Sequence, residues 1–257
     1  MPSRAEAARF RAIHSRKGRG KHGMCLAEGP RLLRELASRG PTPVQVLYTA
    51  EAEVEPRDGG LIESLLRRGV HCERVGEREL ESLADAATPQ GILAAVPIPD
   101  TAWPESATRV LVLDRLQDPG NVGTLLRTAE ALGLDGAVIL RGTADPWGPK
   151  ALRAAAGSTF RLPLRMGPWS DVGGQLSRDG FEIWAAEASG ERLTRTERMP
   201  EKLALVLGNE GDGVNSEILV PGVRKVAVSL AGGVESLNVA VAGAILMDRM
   251  FRGRAWE

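Results

Sequence analysis

Cysteine is scarce in this chain. Cys25 and Cys72 are the only two in 257 residues, and neither has the spacing of a zinc or dithiol site. A disulfide scaffold and a zinc module are excluded, no metal is expected, and a reducing compartment fits. Histidine is thinly spread at His14, His22 and His71, which reads as surface. Aromatic residues make up 4%, with one Tyr and four Phe, too few to build a stacking platform for single-stranded nucleic acid. No apolar run approaches the roughly 18 residues that span a bilayer, and the N-terminus has no apolar signal core. A cytoplasmic protein with no membrane partner is the expectation. The formal net charge is zero, so the overall balance names no partner.

The charge distribution says more. Nine Lys or Arg (Arg4, Arg9, Arg11, Arg16, Lys17, Arg19, Lys21, Arg31, Arg34) stand against Glu6 and Glu28 in residues 1–34. Such an excess attracts phosphates, or is simply a solvated basic tail. Within it, GRGKHG (18–23) matches G-x-G-x-x-G in letters only. A dinucleotide fingerprint needs a strand before and a helix after, so a flexible basic loop is expected here. Beyond it, strands at 24–27, 44–48, 70–75 and 91–96 alternate with helices at 30–39, 60–68 and 77–84, a small α/β unit. PIPDTAWPES (97–106) carries three prolines and reads as a linker. The expected division is a domain at 1–96, a linker at 97–107 and a second domain at 108–257.

The second domain opens with a buried strand at 109–114. A sharp Asp118-Pro119-Gly120-Asn121 turn follows, then a helix at about 121–133 with Val122, Leu125, Leu126, Ala129 and Leu132 at helical spacing. Its most informative stretch is 203–247. Leu203–Leu207 is a continuous apolar run, as in a strand buried on both faces, and runs directly into Gly208, Gly211 and Gly213. After a short helix, Val226–Leu230 repeats the pattern, with Gly232 and Gly233 before a last helix opened by Ser236-Leu237-Asn238. Ligands of open α/β sheets bind beyond the carboxyl ends of strands, so these two glycine loops predict one small-molecule site.

Three segments, DRLQDPGNVGTLLRTAEALGL (114–134), LVLGNEGDGV (205–214) and VSLAGGVESLNVAVAGAILM (228–247), together resemble the SpoU (TrmH-like) branch of the SPOUT RNA methyltransferases. GMCLAEGPRLLREL and TPQGILAAV, within residues 10–96, resemble that family's ribosomal-protein-like substrate-binding domain. The resemblance implies an α/β protein with a C-terminal knotted parallel sheet (a trefoil knot) and a smaller N-terminal RNA-binding domain. It implies methyl transfer from S-adenosylmethionine to a ribose 2′-hydroxyl of structured RNA, rRNA foremost, by a homodimer. A tRNA 2′-O-methyltransferase, or an RNA-binding protein with an inactive methyltransferase domain, are the alternatives.

Residue by residue, the resemblance makes Asn121, Arg127, Glu210, Ser236 and Asn238 the catalytic set. It gives Gly208, Val228 and Leu237, with neighbouring Leu207 and Leu230, to S-adenosylmethionine. Each residue also has a plainer reading. Asn121 and Ser236 are good helix N-caps, Arg127 suits a solvated helix face, Glu210 an exposed loop, and Val228 and Leu237 the core. Arginine is a poor base, its pKa being above about 12, so Arg127 is expected to hold a phosphate and stabilise a developing alkoxide. Two positions depart from the family pattern: Ser229 where relatives commonly have Pro, and Ala155 where many have Ser.

Overall fold

The computed structural model describes residues 2–54, 60–100, 103–193, 197–230 and 236–251. The chain divides into two compact units, one of residues 1–100 with 147–160, the other of 101–146 with 161–257.

The first unit begins with α1 (Arg4–Ala12), started by a Ser3/Glu6 capping box. The basic loop expected at 18–23 is instead a helix, α2 (Arg16–His22). Local chemistry explains this. The Ser15 side chain accepts from the Gly18 amide at 3.0 Å, and Gly23 closes the C-terminus at φ 62°, the left-handed conformation that suits glycine. Arg19, 5% exposed, turns inward and donates to the carbonyls of Ile13 and His14 at 3.0 and 2.6 Å. It is therefore a structural cation and not part of a solvated tail.

Next come β1 (Met24–Glu28), α3 (Pro30–Arg39), β2 (Gln45–Tyr48), α4 (Ala50–Val54), α5 (Leu61–Arg67), β3 (His71–Arg74), α6 (Glu77–Glu81) and β4 (Ile92–Pro97). The sheet order is β1-β4-β2-β3. β4 is antiparallel to both its neighbours, whereas β2 and β3 are parallel. Leu32, Leu33 and Leu36 are the buried stripe of α3.

In the second unit, β5 (Arg109–Leu113) leads into α7 (Pro119–Ala131) and β6 (Gly136–Leu140). The chain then enters the first unit as α8 (Pro149–Ala155), where Ala155 is fully buried. It returns as β7 (Leu164–Gly167), α9 (Trp169–Arg178), β8 (Glu182–Arg192), β9 (Leu203–Leu207), β10 (Arg224–Ala227) and α10 (Val239–Phe251). The six strands are all parallel in the order β10-β8-β9-β5-β6-β7.

Strand alternation splits the core. Leu203, Leu205 and Leu207 join α7 and α10 on one face, while Ala204 and Val206 join α9 on the other. Apolarity on both faces is what a sheet covered by helices on two sides requires. α10 lies close to α7 and β9 because residue 243 is glycine. A Cβ there would stand 2.5 Å from Leu125 Cδ2 and 2.6 Å from Leu207 Cδ1.

Two further expectations need correction. The strand expected at 226–230 is β10, which spans Arg224–Ala227. The short helix expected between Gly213 and β10 is absent among the described residues, where turns fill the interval. β7 and α9 were not anticipated, since Gly173 and Gly174 mask the helical stripe of α9. Gly232 and Gly233 lie outside the described residues. Among the described residues no helix is long and apolar enough to cross a membrane.

Candidate active site

β9 ends at Leu207, and the next residue admits no side chain. A Cβ on Gly208 would stand 2.3 to 2.4 Å from backbone atoms of Gly213 and Val214. The loop folds back on itself: Asn209 and Gly213 exchange both N–H···O bonds at 3.0 Å, and Gly213 takes φ 69°. The Asn209 side chain accepts from the amides of Gly211 and Asp212 at 2.8 and 3.1 Å, an Asx turn. This closed loop presents Glu210 at an exposed position.

α7 brings the second component. Its N-cap is Asp118, whose carboxylate accepts from the Gly120 amide at 3.0 Å, with Pro119 at the first helical position. Asn121 is thus inside the first turn and does not cap the helix, and its side chain is free to reach out. Asn121 Nδ2 donates to Glu210 Oε1 at 2.8 Å. Asn238 Nδ2 donates to Asn121 Oδ1 at 3.1 Å. Asn238 Oδ1 in turn accepts from the amides of Ala240 and Val241 at 2.9 and 3.4 Å. The direction of the chain is forced, because an ionised carboxylate only accepts. Asn121 must offer its amino group to Glu210, which leaves its oxygen for Asn238, whose own oxygen caps α10. Asn238, not Ser236, is therefore the cap of the last helix.

Beside this chain lies a cleft of about 530 Å³ lined by Leu207, Gly208, Val228, Leu230 and Leu237, and also by Glu210 and Ser236. All five residues expected to hold a cofactor thus share one wall system. Arg127 stands apart, exposed on α7 and without a hydrogen bond or ion pair to any described residue. Ser229 is exposed.

The cleft suits S-adenosylmethionine. Its size is within the usual range of a few hundred Å³ for small-molecule sites, and leucine and valine side chains offer a slot for a flat ring. Three acidic residues (Glu187, Glu210 and Asp212) line it, a sign of charge that favours a ligand bearing a sulfonium and an ammonium.

Asp114, Arg115 and Glu187 also hold this region and were not singled out from the sequence. The Glu187 carboxylate accepts from the Val214 amide at 2.9 Å. The buried Asp114 carboxylate accepts from the Asn215 amide at 2.7 Å. A carboxylate one step beyond a buried strand gives no signal of its own that it braces a distant loop.

A parallel α/β sheet with a ligand cleft and converging helix starts beyond its strand ends defines a small-molecule-dependent enzyme of the open-sheet class. Residues 108–248 match the SpoU rRNA Methylase family and residues 8–94 an MRM3-like substrate binding domain. The chain belongs to the SpoU rRNA methylase family. It is 35% identical over 238 residues to the 23S rRNA (guanosine(2553)-2′-O)-methyltransferase RlmP of Bacillus subtilis (strain 168), covering 93% of this chain and 92% of that one. Among solved structures, a TrmH-family protein from Porphyromonas gingivalis is 28% identical with a TM-score of 0.81, covering 98% of this chain and 99% of that one. An AdoMet-bound rRNA methyltransferase from Sinorhizobium meliloti is 25% identical with a TM-score of 0.79, covering 97% and 95%.

Proposed function

We propose that this protein transfers the methyl group of S-adenosylmethionine to a ribose 2′-hydroxyl in structured rRNA, working in the cytoplasm as a homodimer whose C-terminal sheet is knotted. The observation that carries the reading is the Asn238–Asn121–Glu210 hydrogen-bond chain at the edge of the glycine-loop cleft. S-adenosylmethionine bound in that cleft supplies an electrophilic methyl group on a good leaving group.

The chain's own residues supply the rest. Gly208 and the apolar residues Leu207, Val228, Leu230 and Leu237 hold the adenosine part. Ser236 stands at the same wall for polar contact. Glu210 fixes the rotamer of Asn121, and Asn238 fixes its other end, so the pair presents a rigid polar edge to the incoming ribose. Arg127 contributes a planar, delocalised cation. Unengaged on an exposed helix face, it grips an RNA phosphate and steadies the developing 2′-alkoxide by charge. Most of the rate then comes from holding oxygen, methyl and sulfur in line. Arg4, Arg11, Arg16, Lys17 and Lys21 are exposed on the first unit and supply sequence-independent phosphate contacts.

The test is calorimetric titration with S-adenosylmethionine and, separately, with NAD, followed by mapping of methylated ribose in 23S rRNA and tRNA. Saturable binding of the methyl donor alone, with 2′-O-methylation of rRNA, is expected. No binding by folded protein rules the reading out, and methylation of a base in place of a ribose rules out the assigned chemistry.

A further inference from the structure

Arg115 sits where an arginine costs the backbone something. Its φ is 55°, and left-handed backbone disfavours any residue with a Cβ. Among the described residues only Ala156 shares this among non-glycines. Such strain persists where surrounding contacts over-determine it; the Arg115 carbonyl accepts from Gln117 Nε2 at 2.9 Å, and most of the remaining contacts lead to one loop. Arg115 Nε donates to Asp114 Oδ2 at 3.3 Å, and Nη2 donates to the Gly213 carbonyl at 3.2 Å. The Arg115 carbonyl, turned by that φ, accepts from Asn209 Nδ2 at 2.9 Å. Asp114 Oδ2 holds the Asn215 amide as well. Both ends of the segment that carries Glu210 are therefore tied to two residues at the end of β5, neither of which lines the cleft.

We infer that Arg115 is a positioning residue for the methyl-donor site, acting through the 209–215 loop and not by contact with either substrate. The backbone and the side chain divide the work. The left-handed turn aims the carbonyl at Asn209, while the guanidinium bridges the Asp114 carboxylate and the Gly213 carbonyl. Together they keep the loop closed, so that one wall of the cleft is preformed and Glu210 stays within reach of Asn121. The inference rests on the assignment of this cleft to S-adenosylmethionine.

Three variants separate the two contributions: Arg115→Gly, Arg115→Ala and Arg115→Lys. Glycine and alanine both lose the guanidinium, but only glycine accepts the φ without strain. The expectation is that calorimetry finds S-adenosylmethionine bound about tenfold more weakly by both, the low end of what losing a hydrogen bond to a charged group costs. Lysine, which reaches one acceptor but not both, falls between them and the wild type. Thermal midpoints order differently, with Arg115→Gly above Arg115→Ala. Amide exchange at Gly213, Val214 and Asn215 quickens in both.

Affinity that follows the guanidinium while the melting temperature follows the backbone supports the inference. A glycine variant that binds as well as the wild type overturns it. So does affinity that tracks the melting temperature, because Arg115 would then only stabilise the fold. Wild-type protein that binds no methyl donor overturns the cleft assignment together with the inference. A wild type that binds beside an unimpaired glycine variant overturns the inference alone.

Discussion

Replacing Asn121 by aspartate keeps the shape of the side chain and inverts one hydrogen-bonding group. The amino group that Glu210 accepts at 2.8 Å becomes a second carboxylate oxygen, while the bond from Asn238 survives. At pH 8 both carboxylates are charged. Glu210 is exposed, so the low ends of the usual ranges apply: about 1.5 kcal/mol for the lost charge-assisted bond and about 1 kcal/mol for the repulsion. About 2.5 kcal/mol no longer holds residue 121 in its working orientation, which is about 70-fold in rate. The assay is methyl transfer to rRNA at saturating S-adenosylmethionine, expressed as the ratio of variant to wild type. A second arm pairs Asn121→Asp with Glu210→Gln, which restores one donor and one acceptor with the polarity reversed, and should regain much of the loss. An Asn121→Asp protein as active as wild type at pH 8, or a double variant no better than the single, refutes the reasoning.

Arg127→Ala should cut methyl transfer by about 10²–10³ while leaving stability within about 0.5 kcal/mol, because no described residue depends on it; a large drop in melting temperature would mean the side chain is structural. Gly208→Ala drives a Cβ into the backbone of Gly213 and Val214, so it should cost about 1–3 kcal/mol and abolish donor binding in calorimetry. Burial pushes the Cys72 thiol up to about 11. Its alkylation at pH 8 should be about 100-fold slower in the native than in the unfolded chain, rising with pH toward 11, and a plateau near pH 9 would contradict this. By linkage, the stability this thiol contributes is full below its unfolded pKa and is lost as pH rises toward 11.

Much of this was legible in the residues. The Leu32, Leu33 and Leu36 stripe placed α3, and the unbroken apolar run at Leu203–Leu207 identified a strand covered on both faces. Gly208 marked the loop, because an invasion of glycine directly after such a strand has few other causes. Motif resemblance gathered Asn121, Glu210 and Asn238, and the hydrogen bonds now join those three. What was illegible has physical reasons. The 18–23 stretch looked like a loop because its three glycines lower helix propensity, yet Ser15, the C-terminal Gly23 and the inward turn of Arg19 overrode composition. Ser236 and Asn238 are both acceptable caps, and sequence alone does not say which of two candidates begins the first turn. The Asp114–Arg115 clamp joins residues about 100 positions apart in the chain, and its key feature, a positive φ at an arginine, has no signature in the sequence.

The excursion of residues 147–160 has a consequence for how the protein is made. Arg153 on α8 donates to Glu28 Oε2 at 3.2 Å and to Asp85 at 3.0 Å, and the Glu28 side chain is only 3% exposed. The first unit therefore lacks its counter-cation until the chain has been synthesised beyond the linker and well into the residues of the second. A nascent chain of about 100 residues has only the amides of Asp85 and Ala86, at 3.3 and 3.2 Å, to hold the Glu28 carboxylate and lacks the Arg153 charge that pairs it, so the first unit is completed late despite coming first. A gene cut at the proline-rich linker would separate two stretches of sequence but not two finished folds.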